Sequence, residues 1–184
     1  LQRASNDGDG GTDTYTGIEN LIGSNFNDTL IGDNAANVLM GGIGTDTLLG
    51  FGGNDILMGG SGGGNNQLQG GEGDDWYILD AFDTCFEVAG QGIDTVEARV
   101  GSYTLGNNVE NLMYTGPGKF TGNGNAMNNV ITGGALDDVL RGKGGNDTIR
   151  GGTGLDEVQL RGVLANYTIT AEGEGWRIVD SVAG

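Results

Sequence analysis

The chain has 184 residues, 40 of them glycine, only 36% hydrophobic residues, and a formal charge of −17 from 25 acidic against 8 basic side chains, with no histidine. That composition excludes a conventional thick core, and it excludes a nucleic-acid surface, because phosphate binding needs clustered Lys and Arg. No apolar run approaches the roughly 20 residues of a membrane span.

Glycine at this level without a period would indicate disorder. Here it is periodic, and it supplies the positive φ angles of repeated tight turns. Residues 1–78 form a first repeat array with a lead-in. The lead-in is Gly8-Asp-Gly-Gly-Thr-Asp-Thr-Tyr-Thr, with Asp13 at its sixth position, followed by Ile18-Glu-Asn-Leu. Nine-residue blocks start at Gly23, Gly32, Gly41 and Gly50 and resume at Ser61 and Gly70 after the insertion Gly59-Gly60. Their sixth positions are Asp28, Asn37, Asp46, Asp55, Asn66 and Asp75; their eighth are Leu30, Leu39, Leu48, Leu57, Leu68 and Tyr77. Two columns held in phase mark a solenoid of stacked turns, with the eighth positions facing inward as a thin core.

Residues 79–88 are less regular and are expected to be a connector packed on the solenoid. It holds the single Cys85, which cannot form an internal disulfide and reads as a small apolar residue. Residues 89–159 repeat the plan of the first array. The lead-in is Ala89-Gly-Gln-Gly-Ile-Asp-Thr-Val-Glu with Asp94, then Val109-Glu-Asn-Leu, then four uninterrupted nonapeptides from Gly124, Gly133, Gly142 and Gly151. Their sixth positions are Asn129, Asp138, Asp147 and Asp156, and Ile131, Leu140 and Ile149 take the inward column. The chain is an internal duplication. Beyond Gln159 the period stops, and Tyr167-Thr-Ile-Thr and Trp176-Arg-Ile-Val alternate across Glu172-Gly-Glu-Gly as a hairpin does. Residues 160–184 are therefore expected to form a β-hairpin flank that caps the solenoid, within a fragment of a longer protein.

The blocks Gly41-Gly-Ile-Gly-Thr-Asp-Thr-Leu-Leu, Gly70-Gly-Glu-Gly-Asp-Asp-Trp-Tyr-Ile and Gly151-Gly-Thr-Gly-Leu-Asp-Glu-Val-Gln resemble the RTX nonapeptide. Its pattern is Gly-Gly-x-Gly-x-Asp-x-U-x with U a large apolar residue, the repeat of hemolysin-type calcium-binding proteins. The resemblance implies an all-β, right-handed parallel β-roll in which two nonapeptides complete a turn, so that residues 18 apart stack. Asp28 would then lie beneath Asp46, Asp138 beneath Asp156, Asp147 on Asn129 and, allowing for the insertion, Asp55 beneath Asp75.

Strands in adjacent layers lie about 4.8 Å apart. Two carboxylates at that separation repel by about 1 kcal/mol in water and nearer 4 kcal/mol at an effective dielectric of about 20. Calcium relieves this with six to eight oxygen ligands. The implied ligands are the side chains of Asp13, Asp28, Asp46, Asp55, Asp75, Asp94, Asp138, Asp147, Asp156, Asn37, Asn66 and Asn129. Backbone carbonyls of Gly41, Ile43, Gly44, Gly50, Gly52, Gly53, Gly70, Glu72, Gly73, Gly142, Gly144, Gly145, Gly151, Thr153 and Gly154 complete the shells. Roughly four to eight calcium ions are expected, each held with a dissociation constant of roughly 0.1–1 mM. Gly23-Ser-Asn-Phe-Asn-Asp has lost two glycines, and the three asparagines replace a carboxylate, so weak binding or none is expected there. The alternative is that Asp and Asn only close turns by bonding their own backbone, as in metal-free solenoids. For Asp13 and Asp94, which lack a partner 18 residues on, both readings stand. Magnesium demands a tighter octahedron, and zinc lacks its usual His and Cys ligands.

Gly59-Gly-Ser-Gly-Gly matches a nucleophile elbow as a string, but without histidine or a strand-to-helix context it is a product of glycine content. No catalytic residue is expected. The resemblance implies a secreted or cell-surface module that folds on extracellular calcium and supports export by a type I exporter. A carbohydrate-associated module, like the repeats of alginate epimerases, and a self-associating surface-layer or adhesin spacer are the alternatives, with a glycan or a second copy as partner.

Overall fold

The computed structural model describes residues 2–5, 12–80, 82–161, 167–172 and 175–180. It divides into two compact units, residues 1–94 and 95–184. Among the described residues there is no helix long and apolar enough to cross a membrane.

The first unit contains β1 (Gln2–Ser5), β2 (Thr12–Tyr15), β3 (Asn20–Ile22), β4 (Thr29–Ile31), β5 (Val38–Met40), β6 (Thr47–Gly52), β7 (Ile56–Met58), β8 (Gln67–Glu72), β9 (Trp76–Leu79) and β10 (Thr84–Cys85). Most are three or four residues long because only the last third of each nonapeptide is extended, the first six residues being spent on the turn. Strands β3, β5, β7 and β9 pair in parallel on one side. Strands β4, β6, β8 and β10 do so on the other. The register runs Leu21↔Leu39↔Leu57↔Tyr77 and Leu30↔Leu48↔Leu68↔Cys85.

Leu30, Leu39, Leu48, Leu57, Leu68 and Tyr77 are the eighth-position column, and side-chain alternation turns them inward while their neighbours face out. Leu39, Leu48 and Leu57 are 0% exposed, so the thin aliphatic core expected from the pattern is present. Each such leucine contributes about 2 kcal/mol relative to exposure. The insertion at Gly59-Gly60 is absorbed in the β7–β8 turn, where Gly60, Gly62 and Gly63 take positive φ, without disturbing the Leu48↔Leu68 pairing. The connector differs from expectation in one respect: its Thr84 and Cys85 extend the sheet as β10 beside β8.

The second unit contains β11 (Thr95–Ala98), β12 (Ser102–Thr104), β13 (Asn111–Tyr114), β14 (Thr121–Asn123), β15 (Val130–Thr132), β16 (Val139–Arg141), β17 (Thr148–Arg150), β18 (Glu157–Val158), β19 (Tyr167–Glu172) and β20 (Gly175–Asp180). Parallel ladders join β11, β13, β15 and β17 through Val96↔Leu112↔Ile131↔Ile149. On the opposite side they join β12, β14, β16 and β18 through Tyr103↔Gly122↔Leu140↔Val158. Gly122 leaves room for the Phe120 ring, which stacks on Tyr114 with centroids 4.4 Å apart. Strands β19 and β20 pair antiparallel, and β20 pairs antiparallel with β17.

Candidate metal centres

The turns carry a ladder of sixth-position side chains. In each unit the backbone N–H of one sixth-position residue donates to the side-chain oxygen of the next turn's. One stack in the first unit runs Asp28 to Asp46 to Asn66 to Asp83, with N···O distances of 2.8, 2.7 and 3.2 Å. The other runs Asn37 to Asp55 to Asp75 to Asp94 at 2.7, 2.8 and 2.9 Å. In the second unit Asn129 bonds Asp147 at 2.9 Å, and Phe120, Asp138 and Asp156 form a stack at 2.8 and 3.0 Å. Asp94 thus has a stacking partner, Asp75, nineteen residues away. Asp156 is the last member of its stack among the described residues and is exposed. Asp13 lies on β2, antiparallel to β1 and exposed, and joins neither stack.

What the second carboxylate oxygen does separates two kinds of turn. In the turns that begin at Gly23, Gly32, Gly124 and Gly133, the second-position N–H closes back onto the sixth side chain. Ser24 reaches Asp28 Oδ2 at 2.6 Å, Asp33 reaches Asn37 Oδ1 at 2.8 Å, Asn125 reaches Asn129 Oδ1 at 2.8 Å, and Gly134 reaches Asp138 Oδ2 at 2.5 Å. In three of these turns the second side chain also accepts from the fourth N–H: Phe26 to Ser24, Ala35 to Asp33 and Met127 to Asn125. They are self-satisfied turns closed by Ser, Asp or Asn.

The turns that begin at Gly41, Gly50, Gly70, Gly142 and Gly151 are built differently. Their second residues, Gly42, Phe51, Gly71, Lys143 and Gly152, have φ of 107, 82, 104, 76 and 97°. Their fourth residues, Gly44, Gly53, Gly73, Gly145 and Gly154, are also at positive φ. In the turns ending at Asp46, Asp55 and Asp75 the sixth-position carboxylate then loses its local donor. Asp46, Asp55 and Asp75 are 0, 1 and 2% exposed, and the Oδ2 atom of each is buried without a hydrogen-bond partner. The fifteen carbonyls expected as ligands all lie in these five turns. A Cβ at Gly50 would sit 2.0 Å from Asp55 Oδ2 and 2.7 Å from the Gly70 carbonyl oxygen, so the absent side chain leaves a cradle where carboxylate and carbonyl converge.

The asparagines do not offer the same acceptor. Asn66 accepts from Asp46 N and donates through Nδ2 to Asp83 Oδ1 at 2.8 Å. Asn129 donates through Nδ2 to the Val109 and Glu110 carbonyls. Asn37 presents Nδ2, a donor, where an aspartate would present an oxygen.

Electrostatics sets the open carboxylates apart. Burial pushes Asp55 up to about 7 despite the Asn37 N–H bond, with the Asp75 charge adding to the rise. Asp75 is pushed up to about 6, again chiefly by burial, and Asp46 is raised for the same reason. Sequence reasoning missed two buried acids in the connector. Asp83 completes a stack, and the signal for it was the Asp83-Thr84 pair, which matches Asp28-Thr29, Asp46-Thr47 and Asp147-Thr148. Glu87 is 4% exposed, and burial pushes it up to about 7 with the charges of Asp94 and Asp75 adding.

Partnerless buried oxygens, a cradle that a Cβ would fill and a donor set made only of carboxylates and carbonyls fit a hard divalent cation of calcium's size. Comparison with known proteins agrees. The RTX calcium-binding nonapeptide repeat (4 copies) matches residues 13–48, 31–63, 49–83 and 123–158. Over 71 residues the chain is 44% identical to the Endo-1,3-1,4-beta-glycanase ExsH of Rhizobium meliloti (strain 1021), a match covering 38% of this chain and 15% of that relative. With more than half of its residues matched and its turns built in this way, the chain belongs to the RTX calcium-binding nonapeptide repeat family.

Proposed function

We propose that this chain is a calcium-dependent folding module of a secreted protein, unfolded in the calcium-poor cell and ordered once outside, and that it supports type I export and the stability of a larger protein. The observation that carries this reading is the set of buried, partnerless oxygens on Asp46, Asp55 and Asp75. Without a cation each carboxylate is held out of water with one backbone N–H on its other oxygen to offset the charge. Binding then becomes folding free energy. The ion-binding sites in this reading are the open turns ending at Asp46, Asp55, Asp75, Asp147 and Asp156; the self-satisfied turns act as metal-independent spacers. Catalysis, if the parent protein has any, belongs to other parts of it.

Far-UV circular dichroism in chelator, then during titration with calcium and separately with magnesium, tests the proposal. Conversion from coil to β structure near millimolar calcium, with magnesium inert, is the expected result. A β spectrum indifferent to chelator would overturn it.

A second reading draws on the relative. A match to part of a glycanase supports a module that accompanies a polysaccharide-active enzyme and contacts glycan. Its ligand is a β-linked polysaccharide, and a glycan array run with and without calcium checks for it.

A further inference from the structure

The first-position glycines of one stack, Gly32, Gly50 and Gly70, are followed in register by a residue that is not glycine. Strand β10 pairs Thr84 with Gln67 and Cys85 with Leu68, so two residues further on Glu87 lies beside Gly70. In a regular repeat a side chain there would strike the sixth-position carboxylate of its own turn. Here the next acid, Asp94, comes seven residues after Glu87, two more than separate Gly70 from Asp75, and the longer turn gives the glutamate room.

Its carboxylate is directed into the coil. One oxygen each of Asp75, Glu87 and Asp94 can be chosen so that all three lie within 4.8 Å of one another, and all three residues are buried. Asp94 Oδ1 accepts from Asp75 N at 2.9 Å. Asp75 keeps its Oδ2 without a partner, and that atom points into the cluster: a Cβ at Gly70 would be 2.0 Å from it and 2.5 Å from the Tyr77 hydroxyl. That hydroxyl accepts from Gly70 N at 2.6 Å and donates to Glu87 Oε1. Tyr77 is therefore a positioning residue that fixes the glutamate.

We propose that Glu87, Asp75 and Asp94 form a calcium site of their own, in which a side-chain carboxylate replaces the backbone carbonyls of a repeat turn and ties the connector to the last coil of the first array. Three carboxylates and no nitrogen or sulfur ligand match a hard divalent cation. The site deepens the folding-module reading and rests on it.

The test is to count calcium ions bound per chain by equilibrium dialysis at saturating free calcium, for the wild type, Glu87→Gln and Glu87→Gly. The glutamine keeps the shape without the charge, the glycine restores the residue the repeat uses, and circular dichroism in saturating calcium identifies the folded variants. One ion fewer per chain in the folded variants is the expected result. A wild type that binds calcium and variants that bind the same number would overturn this site alone. A wild type that binds none would overturn the site and the folding-module reading together.

Discussion

The backbone N–H of Asp55 donates to Asp75 Oδ1 at 2.8 Å, while Asp75 Oδ2, on the same carboxylate, is buried with no partner. The first contact sets the stacking distance between coils, and the second leaves a charge for a cation to satisfy. One aspartate therefore holds the solenoid together and, without an ion, opposes it.

Replacing an open-turn carboxylate separates these roles. Asp55→Asn keeps an oxygen to accept the Asn37 N–H and removes the buried charge. Calcium affinity of the folding transition should fall at least tenfold, while the metal-free fold at neutral pH should gain up to roughly 4 kcal/mol, the cost of ionising this buried carboxyl. Asp28→Asn, in a turn where Ser24 already occupies Oδ2, should leave the calcium midpoint nearly unchanged. Circular dichroism against free calcium gives the midpoints, and the β signal each variant keeps in chelator, against a wild type that is coil there, reads the gain in metal-free stability. Equal effects from the two variants would contradict the division of turns.

The raised carboxyl groups fix the sign of the pH dependence in chelator. Asp55 and Glu87 are pushed up to about 7 and Asp75 to about 6, so between their ordinary range and those values the folded chain holds protons that the unfolded chain has released. Stability is then full below about pH 4 and is lost as pH rises through 6 to 7, by roughly 4 kcal/mol for Asp55 alone. The metal-free chain should be most folded in mild acid and unfold toward pH 7.5, and Asp55→Asn should flatten the profile. Far-UV circular dichroism in chelator at pH 4.5, 6 and 7.5 checks it. A rise in stability over that range would refute the assignment.

The pattern made the solenoid legible because period, glycine and apolar columns are local consequences of one repeated turn. It showed Asp46, Asp55 and Asp75 as stacked acids, since steps of 18 and 20 are countable. It did not show Asp83 or Glu87, because the connector abandons the glycine frame while keeping the stacking register, and register is a property of neighbouring coils. Nor did it place Asp13: its block has the repeat's residues, yet β2 pairs with β1, which itself lies antiparallel along the edge of β4. The distinction between turns was partly visible in the fourth position, glycine in open turns and Phe26, Ala35, Met127 or Leu136 in closed ones.

Two open turns carry a side chain at a second position that favours glycine. Phe51 and Lys143 have φ of 82 and 76°, a region that costs a non-glycine residue roughly 1–2 kcal/mol. Phe51 is 55% exposed, so little packing would be lost on removal of its ring. Phe51→Gly and Lys143→Gly should each stabilise the calcium-bound fold by about 1 kcal/mol. Thermal unfolding in saturating calcium reads this directly, and a loss of stability in both would show that the strain is offset by contacts of the side chains.

The two kinds of turn should also come apart as calcium is withdrawn. The amides of Ser24, Asp33, Asn125 and Gly134 donate to an oxygen of their own turn, a bond that needs no ion. In the proposed reading, the turns ending at Asp46, Asp55, Asp75 and Asp147 depend on the cation to hold carboxylate and carbonyls together. In hydrogen exchange at calcium levels near the midpoint, residues 41–58, 70–78 and 142–150 should exchange at least tenfold faster than residues 23–40 and 124–141, a difference of about 1.4 kcal/mol in local opening. Saturating calcium should abolish the contrast, because ligated turns then open only with the coils they join. Uniform loss of protection along both arrays would mean that the coils melt as one unit and that turn chemistry does not set local stability.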